Sequence, residues 1–401
     1  MGMNHAVKGG EHTSREIIYM CIDECARVCI IWGMNTSSSL PIPRLSRLAR
    51  RLAGYWAPPK VANFWASRIS PAWSWDRPLA RVVGHRRESS HAFSLLLQPN
   101  RLWDGFRPGQ HLHVGAEING TRVSRSYSLT ETPRADGRLA ITVKAIEGGR
   151  LSQHLCHATR IGDVLEIGPA FGDMVFPDTL DSPWLFLAGG SGITPLIAMT
   201  RELAARGMPV PLTLLYWVRH RDERCFVDEL RALATRHPNF RVHFFLTRDV
   251  AAAGDEGEGH LSDIPWTSLV PDLRARHVYA CGPDGFVQSA RAETASQARS
   301  FHAEAFTPPA FDFDDQGSVR ITLAASQQTV SVPRGTALLT ALEAAGITPA
   351  SGCRMGICNT CACGKRSGAT RNLRTGELEH EPVSALRLCI SSASSDLVLD
   401  L

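Results

Sequence analysis

A chain of 401 residues, 44% apolar and 20% charged, is too long for one ordinary core and has the balance of a folded globular protein of two or three domains. Its formal charge of +4 gives no reason to expect a nucleic-acid partner. Its 11 cysteines come without an evident export signal: the apolar run at 16–32 is broken by Asp23, Glu24 and Arg27, lacks a small-residue cleavage site, and falls short of the roughly 20 residues a spanning helix needs. A cytoplasmic protein with reduced or metal-bound thiols is therefore expected, not a disulfide framework.

Residues 1–78 form an N-terminal extension, with Met34 an alternative start of the natural product. From 44 to 75, arginines and lysine mix with Trp56, Trp65, Trp73 and Trp75. Two readings stay open: an arm packed on the first domain, or a peripheral contact at a membrane interface.

From 79 to 178 the pattern is that of short strands bounded by Gly, Pro and Asn: ARVVGHRRE, HAFSLLLQPN, QHLHVGAEI, TRVSRSYSLT and RLAITVKAI. Strands at this spacing predict a small antiparallel barrel. The fourth candidate holds Arg125-Ser126-Tyr127-Ser128, and His111 lies one strand earlier in PGQH. An arginine suits a phosphate, an aromatic ring can lie on a flavin, and a hydroxyl can reach a ring nitrogen. Gly148 and Gly149 precede a helix candidate containing Ser152, a second phosphate-binding geometry. Four such residues also occur by chance; their combined order lifts the reading.

Between 179 and 306 the rhythm changes to continuous apolar strands (WLFLAG, PLTLLYWV, FRVHFFLT, RHVYACG) alternating with helices (PLIAMTRELAARG, CFVDELRALATRH), which predicts a parallel α/β sheet. Gly189, Gly190 and Gly192 follow the first strand, with Thr194 behind them, and Cys281-Gly282-Pro283 end the last strand expected. Two glycine turns at neighbouring strand ends mark a nucleotide crevice. Burial statistics alone would make Cys281 a packed strand-end residue. Arg219, Arg221 and Arg224, interleaved with Asp222 and Glu223, lie where a ribose 2′-substituent falls; the arginines favour NADPH and the carboxylates NADH, and NADPH is the expected donor.

A Pro- and Asp-rich linker (307–315) leads to a third unit, 316–401, with strands VRITLAAS and QTVSV and the helix TALLTALEAAG. Cys353, Cys358 and Cys361 are spaced C-x4-C-x2-C, and Cys389 lies far downstream. That is the plant-type 2Fe–2S pattern; a zinc site would more often pair two short knuckles. Gly352 and Gly356 are expected to let backbone N–H groups approach the sulfurs. Cys363 fits neither ligand position and is expected to pack.

These segments resemble known domains. Residues 316–401 look like a plant-type ferredoxin, an α+β β-grasp fold, and residues 79 to about 177 and the GGxGITP and CGP segments resemble the ferredoxin–NADP reductase superfamily. The resemblance implies that Arg125 meets the flavin phosphate, Tyr127 stacks on the ring and Ser128 sits near its reactive nitrogen. Gly149 and Ser152 then favour FAD over FMN, Thr194 and Cys281 flank the nicotinamide, and Phe306 covers the flavin face. The domain order is similar to that of hybrid reductase components of oxygenase and desaturase systems. Electrons would run from NAD(P)H through FAD and 2Fe–2S to an oxygenase, a hydroxylase or a desaturase, with a fatty acyl desaturase favoured. The alternatives are a non-turnover electron-transfer subunit of a larger redox enzyme, or a redox sensor.

Overall fold

The computed structural model describes residues 72–74, 76–306 and 317–401. The expectations for 1–71, Trp75 and the linker fall outside them.

The first domain is a six-stranded antiparallel sheet: β1 (Leu79–Arg87), β2 (Ala92–Pro99), β3 (His111–Ile118), β4 (Thr121–Ser128), β5 (Leu139–Lys144) and β6 (Val164–Ile167), in the order β4-β3-β6-β1-β2-β5. A bridge from Leu129, just past β4, to Ile141 in β5 brings the two ends together and closes the barrel. Apolar residues alternate inward, so Val82, Leu95, Leu97, Leu112, Val114, Ile141 and Val143 fill one core. The β3–β4 hairpin turns at Asn119-Gly120, both at positive φ (51° and 72°), the pairing a two-residue hairpin favours. The tight turn locks the register, placing His111 opposite Ser128 and His113 opposite Ser126.

The helix expected after Gly149 is short: α1 (Arg150–Gln153) runs on into a π-helical turn over His154–Ala158.

The second domain has six parallel strands: β7 (Trp184–Gly189), β8 (Leu212–Val218), β9 (Phe240–Leu246), β10 (Glu256–Glu258), β11 (His277–Gly282) and β12 (Ser300–Ala305), ordered β10-β9-β8-β7-β11-β12. Helices α2 (Ile193–Ala205), α3 (Val227–Arg236), α4 (Trp266–Leu269) and α5 (Asp284–Thr294) connect them. The continuous apolar runs reflect burial on both faces: Phe186, Leu214 and Phe244 face one core, while Leu187, Leu215 and Phe245 face the other. Strand β11, which carries Cys281, is not the last. β12 follows it at the sheet edge, unexpected because SFHAEA carries Ser, His and Glu among its apolar residues.

Arg201 on α2 ties the two domains together, reaching Glu131 at 2.9 Å and Glu229 of α3 at 2.6 Å. Lys144 of the barrel pairs with Glu223 at 2.7 Å, and Tyr279 donates to the Val175 carbonyl at 2.9 Å.

The third domain has β13 (Ser318–Leu323), β14 (Thr329–Pro333), α6 (Leu338–Ala344), β15 (Ala362–Ser367), β16 (Thr370–Asn372), β17 (Leu378–Glu379), β18 (Val383–Arg387), β19 (Ser391–Ala393) and β20 (Leu397–Leu399). They form a five-stranded sheet, β14-β13-β20-β15-β18, and a small sheet, β17-β16-β19. Helix α6 buries Leu338, Leu339 and Leu342 against the core, as a β-grasp requires. No helix among the described residues is long and apolar enough to cross a membrane.

Candidate functional site: a flavin strand between two redox sites

Cys353, Cys358 and Cys361 sit on the loop between α6 and β15, and Cys389 comes from the turn after β18. The backbone N–H of Gly356 lies 3.2 Å from the Cys389 sulfur, that of Cys353 3.2 Å from the Cys358 sulfur, and those of Met355, Ile357 and Cys358 3.4 Å from the Cys353 sulfur. Hydrogen bonds shared among the four sulfurs draw Cys353 and Cys361 below the ordinary thiol range and push Cys358 and Cys389 above it. Backbone N–H groups converging on the sulfurs of cysteines brought together from two segments suit an iron–sulfur cluster.

Gly356 is at φ 74° with its N–H on a sulfur, as expected. Gly352 has a different reason: a Cβ there would lie 2.5 Å from the His113 ring and 3.0 Å from the Cys358 sulfur. Cys363 packs against the core, and burial pushes its thiol up to about 12.

On the barrel, Arg125, Ser126, Tyr127 and Ser128 all lie in β4. Burial holds the Tyr127 phenol protonated. Arg125 is pulled down by partial burial and by the neighbouring cations Arg354 and Arg150, and Arg354 Nε is buried without a partner. Arg354 is already paired with Glu343 at 2.5 Å, which leaves Arg125 and Arg150 as the cations that fit an anionic phosphate group. Gly148 (φ 70°) has open space around it, whereas a Cβ on Gly149 would meet the Ser152 hydroxyl at 2.4 Å.

In the second domain the two glycine motifs touch. A Cβ on Gly192 would lie 1.9 Å from the Cys281 carbonyl oxygen, and one on Gly189 would strike Phe286 at 2.8 Å. Thr194 donates to the Ser191 carbonyl at 2.9 Å. Gly190, Ser191 and Thr194 share a cleft with Thr142, Lys144 and Glu223, between barrel and sheet. Cys281 is wholly buried, and burial pushes its thiol far up, so it stays neutral. Gly282 accepts the backbone N–H of Phe306 at 2.9 Å; Pro283 precedes α5.

The arginine loop departs from the simple expectation. Arg221 and Arg224 both pair with Glu256, at 2.8 and 2.6 Å, and those contacts hold the Glu256 carboxyl far below its usual range. Arg219 is exposed.

Sequence reasoning missed Glu304, which comes from β12. Its carboxylate lies 2.5 Å from His111 Nε2, and His111 Nδ1 lies 3.0 Å from the Ser128 hydroxyl. Phe306 stands edge-on to His111, with ring centroids 6.4 Å apart. The signal was the alternation of polar and apolar residues in SFHAEA, with an acid two residues before Phe306. His113 was also missed. It lies 3.0 Å from the Ser126 hydroxyl and 3.3 Å from the Thr360 hydroxyl in the cysteine loop.

Barrel, parallel sheet and cysteine-bearing β-grasp domain together define the class of flavin-dependent pyridine-nucleotide reductases that carry their own iron–sulfur cluster. The sequence matches the models of an oxidoreductase FAD-binding domain over 85–176, an oxidoreductase NAD-binding domain over 186–292, and a 2Fe–2S iron–sulfur cluster binding domain over 321–393. It is 34% identical to an NADPH oxidoreductase of Mycobacterium tuberculosis, over 88% of this chain and 92% of that one. It is also 34% identical to the ferredoxin reductase component of a 3-ketosteroid-9-alpha-monooxygenase from the same species, over 75% of this chain and 86% of that protein. Among solved structures, phthalate dioxygenase reductase superposes with a TM-score of 0.56 at 25% identity, covering 80% of this chain and 97% of that one. The chain belongs to the ferredoxin reductase-type oxidoreductases with a C-terminal 2Fe–2S domain, and it uses FAD, a 2Fe–2S cluster and NAD(P)H.

Proposed function

We propose that this chain is the reductase component of an oxygenase system, with NADPH as its donor. A bound FAD would supply the conversion between two-electron hydride transfer and one-electron reduction of the cluster. The single observation that carries the reading is the placement of β3: His111 joins it to the nucleotide domain through Glu304, and His113 joins it to the cysteine loop through Thr360.

The chain's own residues divide the work. Arg125, Gly149 and Ser152 bind the flavin phosphates, with Gly148 shaping the turn. Tyr127, a protonated phenol, lies against the flavin ring, and Ser126 and Ser128 are held by their cross-strand histidines. Gly189, Gly190 and Gly192 let the nucleotide approach the backbone, while Thr194, Cys281, Gly282 and Pro283 line the nicotinamide end. Cys281 contributes shape, since a thiol so far from ionising is no nucleophile. Phe306 excludes water beside His111. Arg219 is the cation for a 2′-phosphate, and Arg221 and Arg224, both tied to Glu256, shape its loop. Cys353, Cys358, Cys361 and Cys389 hold the cluster.

Two relatives reported above belong by name to oxygenase systems, which supports an oxygenase acceptor; none of the three is named for a desaturase. The basic, Trp-bearing stretch 44–75 is the basis for a cytoplasmic protein that touches a membrane surface, read out by liposome co-sedimentation of the full chain against a form lacking it. The functional test is NADPH-driven cytochrome c reduction by the isolated chain, followed by product formation with an added oxygenase component. Failure to turn over with either acceptor would favour a subunit locked in a larger enzyme, or a sensor.

A further inference from the structure

His113 is the point where the cysteine loop meets the flavin strand. It sits on β3 directly opposite Ser126, so the register that places Tyr127 and Ser128 also places this ring. One ring nitrogen lies 3.0 Å from the Ser126 hydroxyl and the other 3.3 Å from the Thr360 hydroxyl, between Cys358 and Cys361 in sequence. A neutral imidazole has one donor and one acceptor nitrogen, and two hydroxyls satisfy both. Partial burial disfavours the charged form, in keeping with that arrangement.

The ring is not free to swing. Phe171 packs on it with centroids 4.8 Å apart, and Gly168 lies under its Cβ. From the other side Gly352 closes in so tightly that any Cβ would come to 2.5 Å from the His113 ring. The loop that carries the cysteines therefore approaches the barrel only because position 352 has no side chain.

We propose that His113 is a positioning residue: through Ser126 on one side and Thr360 on the other, it docks the cysteine loop on the flavin strand and sets the approach on which electron transfer between the two cofactors depends. This rests on the functional reading above. Per NADPH, two electrons would pass singly from a bound flavin through the cluster to the oxygenase acceptor, which reoxidises the cluster between them, and one proton would go to solvent. No bond to His113 forms or breaks.

The test compares His113→Ala and Thr360→Val with wild type and with His113→Gln, whose amide can keep a hydrogen bond to Thr360. Two readouts are taken on the full chain with both cofactors. Amide hydrogen exchange over residues 352–361 reports docking of the loop. Anaerobic rapid mixing with NADPH, followed by freeze-quench, separates flavin reduction from the rise of the reduced-cluster paramagnetic signal.

Both disrupting variants are expected to raise exchange in the loop and to slow cluster reduction by roughly five- to thirtyfold, the weight of one or two hydrogen bonds. Flavin reduction should stay within about twofold, because hydride arrives from the other domain, and His113→Gln should recover most of the loss. Wild-type exchange and wild-type cluster reduction in His113→Ala would overturn the proposal, as would equal slowing of flavin and cluster reduction. If the wild-type cluster never accepts electrons from NADPH, the functional reading fails; the exchange comparison still judges the docking contact by itself.

Discussion

His111 Nε2 lies 2.5 Å from the carboxylate of Glu304, 193 residues further along the chain. The pair is buried and crosses from the barrel to the edge strand of the nucleotide sheet, while the other ring nitrogen reaches Ser128. In the function proposed above, the histidine that holds the Ser128 hydroxyl is itself held from a second domain, which would link hydride delivery to domain docking. Glu304→Gln keeps the shape but removes the charge-assisted bond. NADPH-dependent flavin reduction is expected to slow by about tenfold or more, since small misplacements of reacting groups are costly. Electron flow from a chemically reduced flavin to the cluster should not change. Rapid mixing with NADPH and with dithionite distinguishes the two.

Cluster and flavin should be separable. Cys389→Ser is expected to abolish cluster assembly and leave FAD bound and reducible by NADPH, because Cys389 and β4 lie in different domains. Iron and acid-labile sulfide analysis beside the flavin spectrum checks this. Cys363→Ser should keep two irons per chain, since Cys363 packs against the core.

The arginine loop makes a sharper prediction than its composition suggested. Arg219→Ala should raise KM for NADPH by roughly tenfold, a typical weight of a charge-assisted contact, and leave NADH use unchanged. Arg221→Ala and Arg224→Ala should affect both nucleotides through the loop, because each already pairs with Glu256. Glu256 titrates below its usual range, so its contribution to stability is complete at neutral pH and is lost as pH falls below the carboxylate range. Thermal unfolding between pH 7 and pH 3, with Glu256→Gln as the reference, reads this out.

Gly192→Ala tests the contact between the two nucleotide motifs. Gly192 has ordinary helical φ, so the obstacle is steric: the added methyl would lie 1.9 Å from the Cys281 carbonyl oxygen. A loss of roughly 1–3 kcal/mol in stability is expected from overpacking, measured by denaturant unfolding. Nucleotide affinity should fall with it. Gly190→Ala, at φ 55° but with open space around it, should disturb local backbone conformation and spare the β7–β11 contact.

The sequence by itself determined what is local. Fully apolar runs such as WLFLAG, short and bounded by Pro and Gly, read as strands buried on both faces, and their alternation with helices points to a parallel sheet. The C-x4-C-x2-C loop with a distant fourth cysteine is legible because ligand spacing is a property of the chain. The R-x-Y-S strand and the two glycine turns were legible for the same reason. Edge strand β12 was not, since Ser300, His302 and Glu304 break its apolar pattern.

Tertiary structure alone decided which side chains meet across the domains. Nothing near Glu304 in sequence marks its partner as His111, and nothing near Thr360 points to His113. Glu256 cancels two arginines of a loop more than 30 residues away, a pairing that composition reads as free positive charge. The register of one tight hairpin, Asn119-Gly120, puts the two histidines of β3 opposite Ser128 and Ser126 of β4. From there the two rings reach in different directions, because hydrogen bonds between domains depend on where folded surfaces come together and leave no periodicity in the chain that forms them.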